Sequence, residues 1–152
     1  MTNKEFVLET MKRSGKLAAQ SVQTRSTEMT GTELNGEFMY IPDFKIACEK
    51  TNMLHRSVGF VCKSSAGRVV KLLQVYDSTI YTQEPEDLPA QWGFVWSDDP
   101  AHAKPFVAIS TSPYMKGNCC AEGENVFRSL IDNNVWTPSA YPQGWEQVVM
   151  VK

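Results

Sequence analysis

The chain has 152 residues, of which 42% are hydrophobic, and a formal net charge of -2. This hydrophobic share is sufficient for a folded core, and the scattered lysines and arginines exclude the electrostatic pattern of a nucleic-acid or anionic-membrane partner. No apolar run approaches the length of about 20 residues that a spanning helix needs, and the first eight residues lack the apolar region of a secretory signal. We therefore expect synthesis in the cytoplasm and no membrane insertion.

The first element in chain order is a predicted helix over roughly the first twenty residues. Thr2 and Glu5 have the spacing of a capping box, and one broad face then carries Phe6, Val7, Met11, Leu17 and Ala18. A stripe this narrow buries little area, so the helix either packs on its own domain or serves for attachment or oligomerisation. Residues 21–36 are rich in Ser, Thr and Gly and predict an extended or looped connector that could act as a hinge. Residues 1–36 are thus predicted to be a helical arm with its connector.

Residues 38–44 place four large apolar groups around Pro42, which predicts an extended segment laid over a core. The cysteines lack CxxC spacing, which favours free, mostly buried thiols over a structural zinc site: Cys48, Cys62, Cys119 and Cys120. The two histidines, His55 and His102, have no spacing typical of a metal site or a catalytic triad.

Three acidic residues, Glu84, Glu86 and Asp87, lie on one short segment, whereas the carboxylates of a glycosidase must flank a substrate across a cleft. We therefore expect a solvated loop here. Together with the histidines, this predicts a protein that is not an enzyme and has no catalytic residue, metal or cofactor.

An internal repeat begins after His55 and is the most informative feature of the sequence. Both copies keep the spacings Gly-x2-Cys and Pro-x3-Pro-x2-Trp, and the first copy is longer only between these anchors. The residues that recur in order are Gly59, Cys62, Val69, Leu73, Pro85, Pro89 and Trp92 in the first copy and Gly117, Cys120, Val126, Leu130, Pro138, Pro142 and Trp145 in the second.

Each copy follows the pattern of short strand, turn, short strand, proline-rich loop and final strand. The segment from 97 to 112 between them is predicted to begin as a loop and to add a strand or a bridge. The fold expected from these patterns is mainly β with an N-terminal α-helix and two small antiparallel β modules in tandem. The first module covers residues 37–97 and the second covers residues 98–152.

The second copy carries an ordered set of residues that resembles a known family, with Phe127 in its second strand. The set is Tyr114, Lys116 and Gly117 before the first strand, then Trp136-Thr137-Pro138, Pro142 and Trp145. This order resembles the carbohydrate-binding modules of type 5/12, first associated with chitinases and common in bacteriophage structural proteins. The first copy looks like a degenerate member, with Gln83 in the place of the Trp-Thr tryptophan.

The resemblance implies a non-enzymatic bacteriophage virion surface protein of the head-fibre or decoration type. Such a protein would be made in the host cytoplasm, attach by its N-terminal arm, and display its modules for weak multivalent glycan adhesion. Its implied partners are other capsid or tail proteins, a surface glycan and further copies of the chain, with a trimer as the state usual for fibres. Two alternatives stay open: a purely architectural assembly or stabilising protein, and a targeting module of a polysaccharide hydrolase.

The aromatic residues divide into two groups by their place in the repeat. Trp92 and Trp145 recur at a fixed distance from two prolines and are predicted to plug small cores, whereas Trp96 and Tyr81 could face solvent or protein. Trp136 has no aromatic counterpart, so it is the leading candidate for stacking on a sugar ring. The predicted carbohydrate-binding residues are Trp136, Tyr141, Asp132, Asn133 and Asn134.

Overall fold

The computed structural model describes residues 2–150. Met1, in the predicted arm, and residues 151 and 152, in the predicted second module, lie outside the described residues. Within them the chain forms an N-terminal helix, two further short helices and two small sheets, with about 19% of residues in strands. The helices are α1 Asn3–Arg25, α2 Gly31–Gly36 and α3 Phe44–Lys50.

The predicted N-terminal helix is confirmed, and its capping box forms. The Thr2 backbone N–H donates to Glu5 Oε2 at 2.9 Å, and the Glu5 N–H donates to Thr2 Oγ1 at 3.1 Å. These two bonds satisfy donors that the first turn of a helix leaves free. α1 then continues to Arg25, five residues into the segment predicted as a connector.

The prediction of an extended or looped connector over residues 21–36 is wrong. After α1 and a 3-10 turn at Ser26–Glu28, Thr30 and Glu33 form a second capping box and begin α2. Leu34 and Asn35 of α2 are buried, and Asn35 Nδ2 donates to the Val95 carbonyl at 3.1 Å. The expected extended segment after residue 37 is also helical, with a 3-10 turn at Phe38–Tyr40 followed by α3. Helices this short depend on tertiary contacts, which the sequence pattern does not display.

The strands form one sheet in each half of the chain after residue 60. The first sheet is antiparallel and contains β1 Val61–Lys63, β2 Val69–Leu72 and β3 Trp92–Val95. The second contains β4 Lys104–Pro105, β5 Cys119–Glu122, β6 Asn125–Ser129 and β7 Trp145–Val148. β4 pairs parallel to β5, so this sheet is mixed and not antiparallel throughout as predicted. With three α-helices among the described residues, the fold is mixed α/β and not mainly β.

The sequence repeat is confirmed by matching backbone hydrogen bonds in the two halves. Gly59 N donates to the Leu72 carbonyl at 2.7 Å, and its counterpart Gly117 donates to the Ser129 carbonyl at 2.9 Å. Both glycines have a positive φ, 96° and 99°, which residues with a side chain rarely adopt. Trp92 and Trp145 occupy the same register position, opposite Leu72 and Ser129 respectively.

One hydrophobic core serves both sheets. Trp92 and Trp145, the two closing tryptophans, are both buried in it, as predicted. Trp96 stacks on Tyr114 with ring centroids 4.2 Å apart, and Tyr114 meets Trp145 at 5.4 Å in an edge contact. Burial raises the pKa of the Tyr114 phenol, which stays neutral and accepts a hydrogen bond from the Val107 N–H. Residues from the two copies therefore pack in direct contact.

A second, smaller cluster joins the end of α1 to the opposite face of the first sheet. Its buried members are Val22, Leu34, Ile41, Val61 and Val69. The Gln23 side chain bonds both backbone groups of Val61, with its Nε2 2.7 Å from the carbonyl and its Oε1 2.9 Å from the N–H. This amide covers part of the exposed edge of β1 and attaches α1 to the sheet. The predicted arm is therefore part of the folded body from Val22 onward.

All four cysteines are free, and three of them are buried, as predicted. Burial raises the pKa of each thiol, most clearly at Cys62, and raises that of Cys120 to about 12. The thiols are thus protonated at neutral pH and act as small apolar groups in the core.

Candidate functional site

The loop between β6 and β7, residues 130–144, carries all five residues predicted to bind carbohydrate. Its start is fixed by Asn134, whose backbone N–H and carbonyl pair with those of Tyr114 at 2.8 and 3.0 Å. Its middle is a tight turn in which the Ala140 and Tyr141 N–H groups both donate to the Thr137 carbonyl. Pro138, inside this turn, is buried. The loop is therefore held at both its base and its turn.

Trp136 and Tyr141 form an exposed pair of rings on this loop. Their centroids are 5.4 Å apart, the planes are tilted by 58°, and the two residues are 50% and 36% exposed. The Trp136 backbone is anchored at both ends, since its N–H donates to Asn134 Oδ1 at 3.3 Å and its carbonyl accepts from Trp145 Nε1 at 2.8 Å. The buried closing tryptophan thus positions the exposed one.

Gly144 sets the position of the Tyr141 ring. A Cβ at Gly144 would lie 2.6 Å from Tyr141 Cδ2 and 2.8 Å from Cε2, so the ring lies directly over the glycine backbone. Sequence reasoning assigned Gly144 no part in the site. Comparison of the two copies could have indicated this role. Tyr141 and Gly144 correspond to Leu88 and Gln91 in the first copy, so the copy that has the aromatic ring also has the glycine.

Asn134 is completely buried, in contrast to the two rings. Its Nδ2 donates to Ser129 Oγ at 3.0 Å and to the Gly144 carbonyl at 3.1 Å, and its Oδ1 accepts from Trp136 N. Both the nitrogen and the oxygen of the side-chain amide are thus occupied by hydrogen bonds to Ser129 and to the loop itself. Asn134 is therefore a residue that positions Trp136, and it does not present its amide to a ligand.

Asp132 and Asn133 are exposed at the start of the loop. Asp132 Oδ1 accepts from the Lys116 backbone N–H at 3.0 Å, which links the loop to the segment before β5. Asn133 has a φ of 55°, a left-handed conformation that asparagine tolerates better than most residues. Their carboxylate and amide are polar groups that could bind sugar hydroxyls, on the same loop as the ring pair.

The equivalent loop of the first copy lacks this ring pair. The turn there repeats one of the two hydrogen bonds, with Asp87 N donating to the Glu84 carbonyl at 2.9 Å, whereas Leu88 N donates to the Pro85 carbonyl at 3.0 Å. Pro85 is buried like Pro138. However, the positions of Trp136 and Tyr141 are taken by Gln83 and by Leu88, which is buried. The one exposed tyrosine of this loop, Tyr81, is 53% exposed, and Trp96 lies in the core.

The acidic segment at 84–87 stabilises the first copy and is not simply solvated as predicted. Glu84 accepts from both the N–H and the hydroxyl of Ser65, at 2.9 and 3.0 Å. Glu86 is mostly buried, with Oε2 2.6 Å from Arg68 Nη1 and 2.9 Å from the Ser64 hydroxyl. These carboxylates therefore connect the proline-rich loop to the turn between β1 and β2.

The two histidines lie in 3-10 turns at Met53–His55 and Pro100–His102, outside the loop that carries the ring pair. Within residues 2–150, the structure brings together no group of three or more His, Cys, Asp or Glu side chains suited to a metal ion. None of the helices in this same part of the chain is long and apolar enough to cross a membrane.

Comparisons with protein-family models, with curated proteins and with solved structures gave no match for this chain. Functional inference therefore starts from the geometry of the loop and from the residues of the repeat.

Proposed function

We propose that the chain is a non-enzymatic surface protein of a bacteriophage virion, of the head-fibre or decoration type, which adheres weakly to glycans. The observation that carries the proposal is the exposed Trp136–Tyr141 pair on an anchored loop, with Gln83 and the buried Leu88 at the equivalent positions of the other copy. The sequence resemblance to carbohydrate-binding modules of type 5/12 supplies the ligand class and the virion setting. The second copy is the adhesive one, and the first supports it.

Sugar binding at such a pair rests on apolar contact between an aromatic ring and the face of a pyranose. An anchored ring loses little conformational freedom when it binds, which favours binding even to a small ligand. Asp132 and Asn133 supply polar groups nearby for hydroxyls, while Asn134 acts indirectly by fixing Trp136. A contact area this small gives weak affinity, and many copies on one particle convert it into firm attachment through a high effective concentration.

The adhesion proposal is tested with purified protein clustered on beads and applied to a glycan array. We expect retention on at least one glycan, and a loss of about tenfold or more for Trp136→Ala and for Tyr141→Ala, the magnitude expected when a stacking contact is removed. Tyr81→Ala is the matched control, because it removes an exposed ring from the first copy. Absence of retention by the clustered wild-type protein would contradict adhesion.

The virion setting is tested separately, with antibodies raised against the purified chain. We expect immunogold label on the surface of particles of the phage that encodes the protein. Particles that carry no label, and whose proteins do not include this chain by mass spectrometry, would contradict the virion location without bearing on glycan binding.

A second candidate is a purely architectural part whose rings contact only protein. One observation favours it: the Trp136 carbonyl accepts a hydrogen bond from the core residue Trp145, so Trp136 is tied to the fold. Trp136→Ala separates the two functions. Unfolding or failed assembly of the variant supports architecture, whereas a folded variant that has lost glycan retention supports adhesion.

A further inference from the structure

An open groove lies between α1 and α3. Its volume is about 620 Å³, a size typical of sites that hold a ligand or several side chains of a partner. On α3 it is lined by Ile46 and Lys50, which are four residues apart and therefore neighbours on one side of the helix. On α1 it is lined by residues that also share one side: Gly15, Lys16, Ala19, Gln20 and Gln23. We refer to this feature as the α1–α3 groove.

Large apolar side chains line the α1–α3 groove and stay accessible. Met39 and Tyr40 come from the 3-10 turn before α3, and Phe60 directly precedes β1. Met39 is 79% exposed and Ile46 is 45% exposed. A Cβ at Gly15 would have no neighbour within 4 Å among the described residues, so the α1 side of the groove is open. Apolar side chains that are grouped around one groove, and not scattered singly, are typical of a surface that contacts another molecule.

Every charged residue that lines the α1–α3 groove is basic. These residues are Lys16, Lys50 and Arg56, and no Asp or Glu lines the groove. Within residues 2–150, none of the three forms an ion pair with a carboxylate. The whole chain carries a net charge of -2, so the positive charge here is a local property of the groove. Unpaired charges of one sign favour a partner of the opposite sign.

Arg56 is held in a fixed position at the α1–α3 groove. Its guanidinium carbon lies 4.3 Å from the centroid of the Phe60 ring, and Nη2 donates to the Ala47 carbonyl at 2.8 Å. The side chain is half-buried, and its Nε has no hydrogen-bond partner among the described residues. The guanidinium has therefore lost part of its hydration without gaining an anion. A carboxylate from a partner would supply the charge-assisted hydrogen bond that this chain does not provide.

We propose that the α1–α3 groove is a docking site for an acidic segment of a partner protein that also carries apolar residues. Its apolar side chains pack on Met39 and Ile46, and its carboxylates pair with Lys16, Lys50 and Arg56. A flat bilayer cannot enter a concave groove, and a nucleic acid, which binds mainly through phosphate contacts, would leave the apolar side chains unused. The groove and the candidate glycan site belong to different parts of the chain, so this inference is independent of glycan adhesion.

The first experiment selects peptides that bind the groove. A display library of short random peptides is selected on the immobilised full-length protein and counter-selected on the double variant Ile46→Asp with Lys50→Glu, so that the recovered peptides depend on the groove. Both positions are exposed, and near-UV circular dichroism confirms that the double variant is folded. We expect enrichment of sequences that combine aspartate or glutamate with large apolar residues. Recovery of no groove-dependent peptide, or of basic or uncharged sequences, would overturn the proposal.

The second experiment measures the affinity of one recovered peptide by fluorescence anisotropy. Ile46→Asp and Lys50→Glu should each raise the dissociation constant about tenfold or more, because each places a negative charge beside the bound acidic segment. Lys45→Glu is the matched control, since it reverses the same charge on the same helix at a position that does not line the groove. The loss caused by Lys50→Glu should be smaller for the same peptide with its carboxylates replaced by amides. Equal losses for both peptides, or for Lys45→Glu and Lys50→Glu, would contradict the proposal.

Other occupants of the groove are tested with the same variants. Sedimentation equilibrium measures the mass of the full-length protein, and a dimer has twice the 17.1 kDa of one chain. A wild-type dimer that Ile46→Asp dissociates would assign the groove to a second copy. Binding of decanoate or of phosphatidylglycerol vesicles that Ile46→Asp abolishes, without groove-dependent peptide binding, would assign it to a lipid. Either result would overturn the proposal.

Discussion

At the scale of single residues, the tryptophans of the C-terminal loop have opposite functions although they are nine positions apart. Trp145 is buried in the core and donates from its indole N–H, whereas Trp136 exposes half of its surface and receives that hydrogen bond on its carbonyl. The core residue thus maintains the geometry of the exposed one. Loss of Trp145 should affect both stability and the candidate site, while loss of Trp136 should affect chiefly the site.

This difference predicts the stability of two alanine variants. We expect Trp145→Ala to lower the free energy of unfolding by about 3–5 kcal/mol, the usual cost of deleting a buried tryptophan. Trp136→Ala should cost about 1–2 kcal/mol, because only about half of the area that a tryptophan can bury is involved. Urea unfolding followed by circular dichroism measures both. Equal losses would mean that Trp136 is as much a core residue as Trp145.

At the scale of elements, the proline-rich loop of the first copy is connected to both sheets through Arg68. Its guanidinium pairs with Glu86 and also donates to the carbonyl of Pro105, from Nε at 2.9 Å and from Nη2 at 2.8 Å. Pro105 ends β4 in the second sheet. One side chain on the segment before β2 therefore joins a loop of the first copy to a strand of the second.

Removal of this arginine should be strongly destabilising. Arg68→Met leaves the Glu86 carboxylate buried without its cation, a change that typically costs about 3–5 kcal/mol. Glu86 Oε1 is already buried without a hydrogen-bond partner among the described residues, so little else could compensate. The double variant Arg68→Met with Glu86→Leu should recover a large part of the loss in urea unfolding. A double variant no more stable than the single one would contradict this account.

At the scale of the whole molecule, the two copies behave as one folding unit because their aromatic residues share a core. The contacts from Trp96 to Tyr114 and from Tyr114 to Trp145 cross from the first copy to the second. A single copy has three or four short strands, close to the lower limit of chain length that buries enough surface to fold alone. The tandem arrangement is thus a repeat in sequence and a single body in packing.

Shared packing predicts cooperative unfolding of the two copies. We expect tryptophan fluorescence and near-UV circular dichroism to report one coincident urea transition. The fragment 98–152 should show no such transition, since it lacks the rings of Phe94 and Trp96 that cover its core. Two separable transitions, or a folded fragment, would show that the copies are independent modules. Far-UV signals are less suitable for this test, because residues 3–17 of α1 are exposed and contribute helical signal without being part of the core.

Much of the architecture could be predicted because it depends on residues near one another in the chain. The capping box at Thr2 begins a helix through bonds within its own first turn, whatever the rest of the chain does. The repeated spacing Pro-x3-Pro-x2-Trp places Trp92 and Trp145 at equivalent positions of the two sheets. The repeat also separated Trp136, which has no aromatic counterpart, from Trp145, and the structure exposes the former and buries the latter.

Other features depend on partners that are distant in sequence, and no local pattern indicated them. α2 and α3 have six and seven residues and are stable only because Leu34 and Phe44 pack on the first sheet or its core. The position of Asn134 beside Trp136 predicts a ligand contact, but its amide instead donates hydrogen bonds to Ser129 and Gly144. Local sequence therefore specified the turns, caps and repeated strands, because their bonds lie within a few residues. Burial against distant surfaces specified the short helices, the common core and which polar groups of the loop reach solvent.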